Sequence, residues 1–237
     1  SSWYRYGSLS CARPCWVKAT DNVQISGAGQ RANTPQIEMF SRRKLFSPGM
    51  TVGLFGGSFD PPHKGHSLVS AKLQTALGLD MVWWLVAPQN PLKRASPEAM
   101  EKRLKACQDL VGPSNNRVYI SDEETHLGTR NTVDTIRKLK QLYPQVRFIW
   151  LMGADNMASL HRWKDWQVLM HDVPMAIYPR PGYVVKAGLS PAAKQFGDYR
   201  IAADQATNLK NIDAPAWVML TGKMDDISST TLRNNSS

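Results

Sequence analysis

Two histidines three residues apart, His63 and His66, close the stretch Gly56-Gly57-Ser58-Phe59-Asp60-Pro61-Pro62-His63-Lys64-Gly65-His66, which follows the apolar run 50–55. At that spacing across a helix start, two imidazoles can both face phosphates, or be a capping residue plus a surface residue, or be half of a zinc site. Gly56 and Gly57 remove Cβ atoms where an anion must approach the main chain, and a helix beginning near Gly65 points its free N–H groups into the same space. Pro61 and Pro62 restrict the loop before anything binds, which reduces the ordering cost. Zinc needs a third and a fourth ligand, and His126, His161 and His171 show no matching spacing. The stretch lacks the second glycine of a G-x-S-x-G elbow, and it is neither a Walker loop nor a G-x-G-x-x-G fingerprint. Phosphate is the ligand chemistry these residues fit.

Such a loop needs a strand before it and a helix after it. The short apolar runs 50–55, 81–87, 117–120, 146–152, 173–178 and 216–220 are rich in branched and aromatic residues without strict alternation, which predicts strands buried on both faces. Helical patterns lie between them. Residues 66–78 place Leu68, Val69, Leu73 and Leu77 on one side and stop at Gly78. Residues 96–112 open with a Ser cap followed by Pro, 131–144 end at a proline, and 161–172 are shorter. Alternating strands and helices of these lengths predict an α/β fold, a doubly wound parallel sheet in a single domain, with no internal repeat. In such sheets the first strand-to-helix turn at the carboxyl edge is the favoured ligand site.

At 237 residues the chain can bury one good core plus an appendage, and no apolar run is long enough to span a bilayer. Of the net charge of +10, half falls in residues 1–50, where seven basic side chains face two acidic ones. Residues 1–48 lack sustained apolar patterning and are expected to be a basic, disordered extension; residues 49–237 form the folded domain. The Arg- and Ser-rich start is similar to an organelle transit peptide, too weakly to localise the protein. Cys11, Cys15 and Cys107 make no disulfide framework, and a reducing cytoplasm is the expected compartment.

The ending H-x-G-H resembles the signature of the nucleotidyltransferase superfamily of Rossmann-like enzymes, and GGSFDPPHKGH looks like that of the bacterial nicotinate-nucleotide adenylyltransferases. Further segments extend the resemblance in order over about residues 50–233: APQNPLK (87–93), TVDTI (132–136), GADNMASLHRWKDW (153–166), PRPGY (179–183) and ISSTTLR (227–233). The resemblance implies that His63, His66 and Arg233 are catalytic. It assigns Gly56, Gly57, Ser58, Phe59, Lys93, Gly153, Asp155, Ile227, Ser228, Ser229 and Thr230 to ATP. It assigns Asn90, Thr132, Trp163 and Arg180 to the mononucleotide, with Trp163 stacking on the pyridine ring, and brings in Arg103 as a further polar candidate. Read from the residues alone, Asp155 is either a ribose-hydroxyl acceptor or part of an Asx turn with Asn156, Trp166 is helix packing, and ISSTTLR is a Ser/Thr-rich helix start that places Arg233 one turn inside. The family commonly has an aromatic residue before the Thr of TVDT, where this chain has Asn131.

The implied reaction is transfer of AMP from ATP to nicotinate mononucleotide, giving deamido-NAD and pyrophosphate. The acceptor phosphate attacks in line, and Mg²⁺ is held mainly by ATP phosphates and water, with no metal ligands from the protein. The expected partners are these small molecules, with neither membrane nor nucleic acid, and self-association is left open. Adenylyl transfer to nicotinamide mononucleotide or phosphopantetheine is the alternative within the class. A nucleic-acid-binding module using the basic surface is the alternative outside it.

Overall fold

In the computed structural model, which describes residues 46–88 and 100–221, all six expected strands form, each within two residues of its expected bounds. They are β1 (Thr51–Gly57), β2 (Met81–Val86), β3 (Val118–Ser121), β4 (Arg147–Gly153), β5 (Met175–Tyr178) and β7 (Trp217–Met219); a two-residue strand, β6 (Arg200–Ile201), was too short to predict. The sheet order is β3-β2-β1-β4-β5-β7-β6, and every pairing is parallel.

The strands carry almost no polar residues because both faces are covered. Val52, Leu54, Trp83, Leu85, Trp150 and Met152 point into one core, and Phe55, Val82, Trp84, Ile149 and Leu151 into the other. Helix α1 (Lys64–Leu77) seals the second core with Val69, Leu73 and Leu77, one residue per turn, and ends at Gly78, whose φ of 62° is the left-handed cap expected of glycine. Its Ser70 hydroxyl accepts a buried bond from the Trp84 indole at 2.9 Å. Helix α2 (Met100–Val111) adds Cys107 to the same face; residues 96–99, where its Ser-Pro start was expected, lie outside the described residues.

The other face holds α4 (Thr132–Leu142), through Val133, Ile136 and Leu139. The short helices α5 (Ala154–Ser159), α6 (Trp166–Asp172), α7 (Val184–Gly188) and α8 (Pro191–Gln195) lie on this face too. Between β3 and α4 a further short helix, α3 (Glu123–Leu127), ends at Gly128. The single helix expected over 161–172 is broken. A 3₁₀ turn at Leu160–Arg162 is separated from α6 by Trp163–Asp165, where Asp165 takes φ 50°.

β1 lies between β2 and β4, so consecutive crossovers leave it in opposite directions. That divergence opens a crevice at the carboxyl edge of β1 and β4.

Candidate active site

The crevice begins where β1 runs out. His63, in extended conformation, is the N-cap of α1, and its Nδ1 accepts the Gly65 N–H at 3.1 Å. The Nδ1 of His66 accepts the His63 N–H at 3.2 Å. Two histidines thus build a reciprocal capping box, a task usually given to Ser or Thr with Glu or Gln. A neutral imidazole that accepts through Nδ1 carries its proton on Nε2, so the main chain fixes both rings as Nε2–H donors.

Both rings are held neutral as well. Burial pushes His66 down to about 3, helped by His63 and by Arg180, and burial with the Arg180 charge lowers His63. The ring centroids are 3.8 Å apart, a distance at which two cations would repel strongly.

A cavity of about 220 Å³ opens beside them, lined among others by Gly56, Ser58, His66, Gly153, Asp155 and Arg180. Asp155 lies in the first turn of α5. One of its oxygens accepts from Arg180 at 2.7 Å, while the other, Oδ1, is buried with no partner among the described residues. A buried carboxylate oxygen left unpaired in a cavity wall is an acceptor suited to a ligand hydroxyl.

The glycines serve packing more than ligand approach. A Cβ on Gly56 would stand 2.5 Å from the Trp150 indole on the neighbouring strand, and one on Gly153 would collide with Asp155 Oδ1. Phe59 lines the same cavity yet is only 1% exposed; it stacks on Trp84 at 4.9 Å and 7° and meets the edge of His66. Its φ of 46° costs a non-glycine residue roughly 1 kcal/mol, which its buried stacking helps to hold in place.

Other expected residues fall elsewhere. Arg103 is neither a surface polar residue nor part of the cavity wall. It is 3% exposed, and its Nη1 donates to the main-chain oxygens of Ser58 at 2.7 Å and Ala87 at 2.9 Å. Thr132 opens α4 and Trp163 packs edge-on to Trp150, outside the residues that line the cavity. The two are linked indirectly: Lys164, next to Trp163, reaches Asp134 in the first turn of α4, and Asn131 donates to the same carboxylate. Asn90, Lys93, Ile227, Ser228, Ser229, Thr230 and Arg233 lie outside the described residues, as do Cys11, Cys15 and nearly all of the basic extension. The last described residues before 89–99 and 222–237 follow β2 and β7 on the carboxyl side of the sheet.

Sequence reasoning did not assign Trp150 to the site. Trp150 pairs with Leu54 and its ring reaches diagonally over Gly56, a contact that follows from strand order and register and not from either segment alone.

Known proteins fit this arrangement. The cytidylyltransferase-like family matches residues 54–235. A protein of Ruegeria pomeroyi named probable nicotinate-nucleotide adenylyltransferase is 48% identical over 186 residues, 78% of this chain and 86% of that protein. One of Parvibaculum lavamentivorans with the same name is 46% identical, over 81% of this chain and 96% of that protein. Among solved structures, Plasmodium falciparum nicotinic acid mononucleotide adenylyltransferase complexed with NaAD has the same fold, with a TM-score of 0.60 at 19% identity, covering 78% of this chain and 83% of that one.

Proposed function

We propose, for a chain that belongs to the cytidylyltransferase-like family and within it to the nicotinate-nucleotide adenylyltransferases, that it transfers AMP from ATP to nicotinate mononucleotide, releasing pyrophosphate and deamido-NAD for NAD biosynthesis. The observation that carries the chemistry is the pair of neutral, Nε2-donating histidines at the start of α1, beside Arg180 and the half-paired Asp155.

The acceptor already owns its nucleophile, a phosphate oxygen, so the protein needs only to align that oxygen with the α-phosphate and stabilise the charge that develops. His63 and His66 donate hydrogen bonds to the reacting phosphate oxygens. The N-terminal end of α1 faces the same space through Gly65 and His66, and α1 has no acidic residue in its first turn to compete with the ligand. Asp155 Oδ1 accepts from an ATP ribose hydroxyl. Gly56, Gly57, Ser58, Phe59 and Gly153 form the wall around the nucleotide, which Lys93 also contacts, and Arg180, Asn90, Thr132 and Trp163 serve the mononucleotide. Arg233 and the segment Ile227–Thr230 hold the departing pyrophosphate.

Mg²⁺ arriving with ATP would supply further charge neutralisation. Among the described residues no three His, Cys, Asp or Glu converge, and the cavity wall carries the carboxylates Asp60 and Asp155, a donor set suited to an ion that arrives with its substrate. In this reading residues 49–237 are the catalytic domain and residues 1–48 an appended extension. The compartment is a reducing cytoplasm, where Cys107, buried and pushed up to about 12, stays an unreactive thiol.

The test is pyrophosphate release from Mg-ATP with nicotinate mononucleotide, nicotinamide mononucleotide and phosphopantetheine compared as acceptors. A clear preference for the first is expected. Preference for another would replace the acceptor and keep the chemistry, and no release with any would remove the reaction.

A further inference from the structure

The fold places a buried guanidinium behind the wall of the pocket, and the mechanism above gives it no task. Arg103 extends from α2 to two main-chain oxygens on neighbouring strand ends, Ser58 just beyond β1 and Ala87 just beyond β2. The second anchor is rigid, because the Ala87 N–H also donates to the Gly57 oxygen at 2.9 Å and extends the β1–β2 ladder. The first anchor belongs to the loop. A trans peptide is planar, with its C=O and N–H pointing in opposite directions. The Ser58–Phe59 peptide is trans, since the cis bonds among the described residues are Asp60–Pro61 and Ala214–Pro215. With the Ser58 oxygen drawn back onto Arg103, the Phe59 N–H is turned away from Arg103, and Ser58 and Phe59 both line the cavity.

The left-handed conformation of Phe59 is a second, independent observation. A buried phenylalanine at φ 46° is a conformation the chain adopts only where its surroundings impose it. Stacking on Trp84 fixes the side chain, and Arg103 fixes the preceding carbonyl. Together they stop this peptide from flipping, a motion that would present an oxygen to an anion where a donor is needed.

We propose that Arg103 is a positioning residue for phosphate binding, which holds the Ser58–Phe59 peptide with its N–H turned into the pocket as a donor to the polyphosphate of the nucleotide. The inference rests on the adenylyl-transfer reading for the identity of the anion, and its own geometry requires only a polyphosphate. Lysine at this position keeps the charge, but its shorter reach and tetrahedral ammonium do not reproduce the in-plane directions in which Nη1 donates to both carbonyls.

The experiment compares Arg103→Lys with wild type by calorimetric titration of tripolyphosphate, ATP and adenosine, together with thermal melting. The expected result is roughly tenfold weaker binding of tripolyphosphate and ATP, with adenosine binding unchanged. Equal loss for all three probes, or no loss for any, overturns the proposal, because a merely structural role does not single out phosphate. If the variant fails to fold, the wild-type protein still decides. Adding tripolyphosphate should shift the Phe59 amide proton resonance downfield, and an unmoved resonance overturns the proposal. Failure of the adenylyl-transfer reading is a separate result, read as absent pyrophosphate release in wild-type protein that still binds tripolyphosphate.

Discussion

The two ends of the sheet each carry a cavity, and the larger is at the wrong end for the chemistry. The amino-end cavity, about 520 Å³, lies beneath the starts of β1, β4 and β5, and the carboxyl-end cavity is about 220 Å³. Around the larger one most of the charged side chains are paired within the protein. Lys140 donates to the Asp172 main-chain oxygen at 2.8 Å, the Asp172 carboxylate accepts from Arg137, and Arg147 pairs with Asp213. Around the smaller one Asp155 Oδ1 has no partner among the described residues, and His66 is kept neutral by burial. Polar groups that folding leaves uncommitted mark the site better than volume does, because desolvating an unpaired group is a cost that ligand binding can relieve.

The largest predicted effect breaks the carboxyl-end site without dismantling the fold. His66→Ala should lower kcat by about 10²-fold or more, as for loss of a transition-state donor, and remove about 1 kcal/mol of stability with the capping bond. His66→Gln separates the two roles. Its amide oxygen can still accept the His63 N–H from the third helical position, so the urea midpoint should recover toward wild type while kcat does not. A glutamine variant with wild-type turnover would show that His66 acts only as a cap.

Why some of this was readable in the sequence and some was not follows from the range of the interactions. Buried strands and α1 announce themselves locally, by apolar runs and by Leu73, Leu77 and Gly78 at their spacing. His63 and His66 were legible because the chemistry needs them within one helix turn. Helices of five or six residues such as α3 and α5 show too few turns for a period to emerge. The placement of Arg103 depends on where α2 packs across β1 and β2, and the demand of Trp150 on Gly56 depends on strand order, neither of which has a local sequence signature. The glycine pair was therefore found for a partly different reason from the one that holds it, which is packing against Trp150 and Phe59.

A second contrast, in sign, lies between the histidine pair and the corner where α3 meets α4. Burial raises Glu124 to about 7 despite a hydrogen bond from Thr135, whereas it lowers the histidines. For Glu124, whose folded value exceeds its unfolded one, the contribution to stability is present below about pH 4.5 and is lost as pH rises through about 7. For His66 it is present above about pH 6.5 and is lost as pH falls toward about 3. Glu124→Gln keeps a neutral, similarly shaped side chain, so it should stabilise the protein increasingly as pH rises, by up to about 3 kcal/mol at about pH 8 and by under about 1 kcal/mol at about pH 5. Denaturant midpoints of both proteins at the two pH values measure this, and a pH-independent difference would mean that Glu124 is ionised in the fold.

The smallest predicted effect is at the amino end, and it tests the opening contrast most directly. Asp213 is almost fully exposed and Arg147 about a third exposed, so their ion pair sits in high dielectric and contributes under about 1 kcal/mol. Asp213→Asn should therefore leave the melting temperature nearly unchanged and kcat/KM within about twofold of wild type. Because the substitution leaves Arg147 unpaired beside the larger cavity, it also tests whether that cavity has a hidden role. If charge satisfaction is what keeps the cavity silent, freeing one guanidinium should create weak, salt-sensitive anion binding there without touching catalysis. A several-fold change in kcat/KM would instead show that the two ends of the sheet communicate, and that uncommitted polar groups are not by themselves a sufficient guide to where this molecule works.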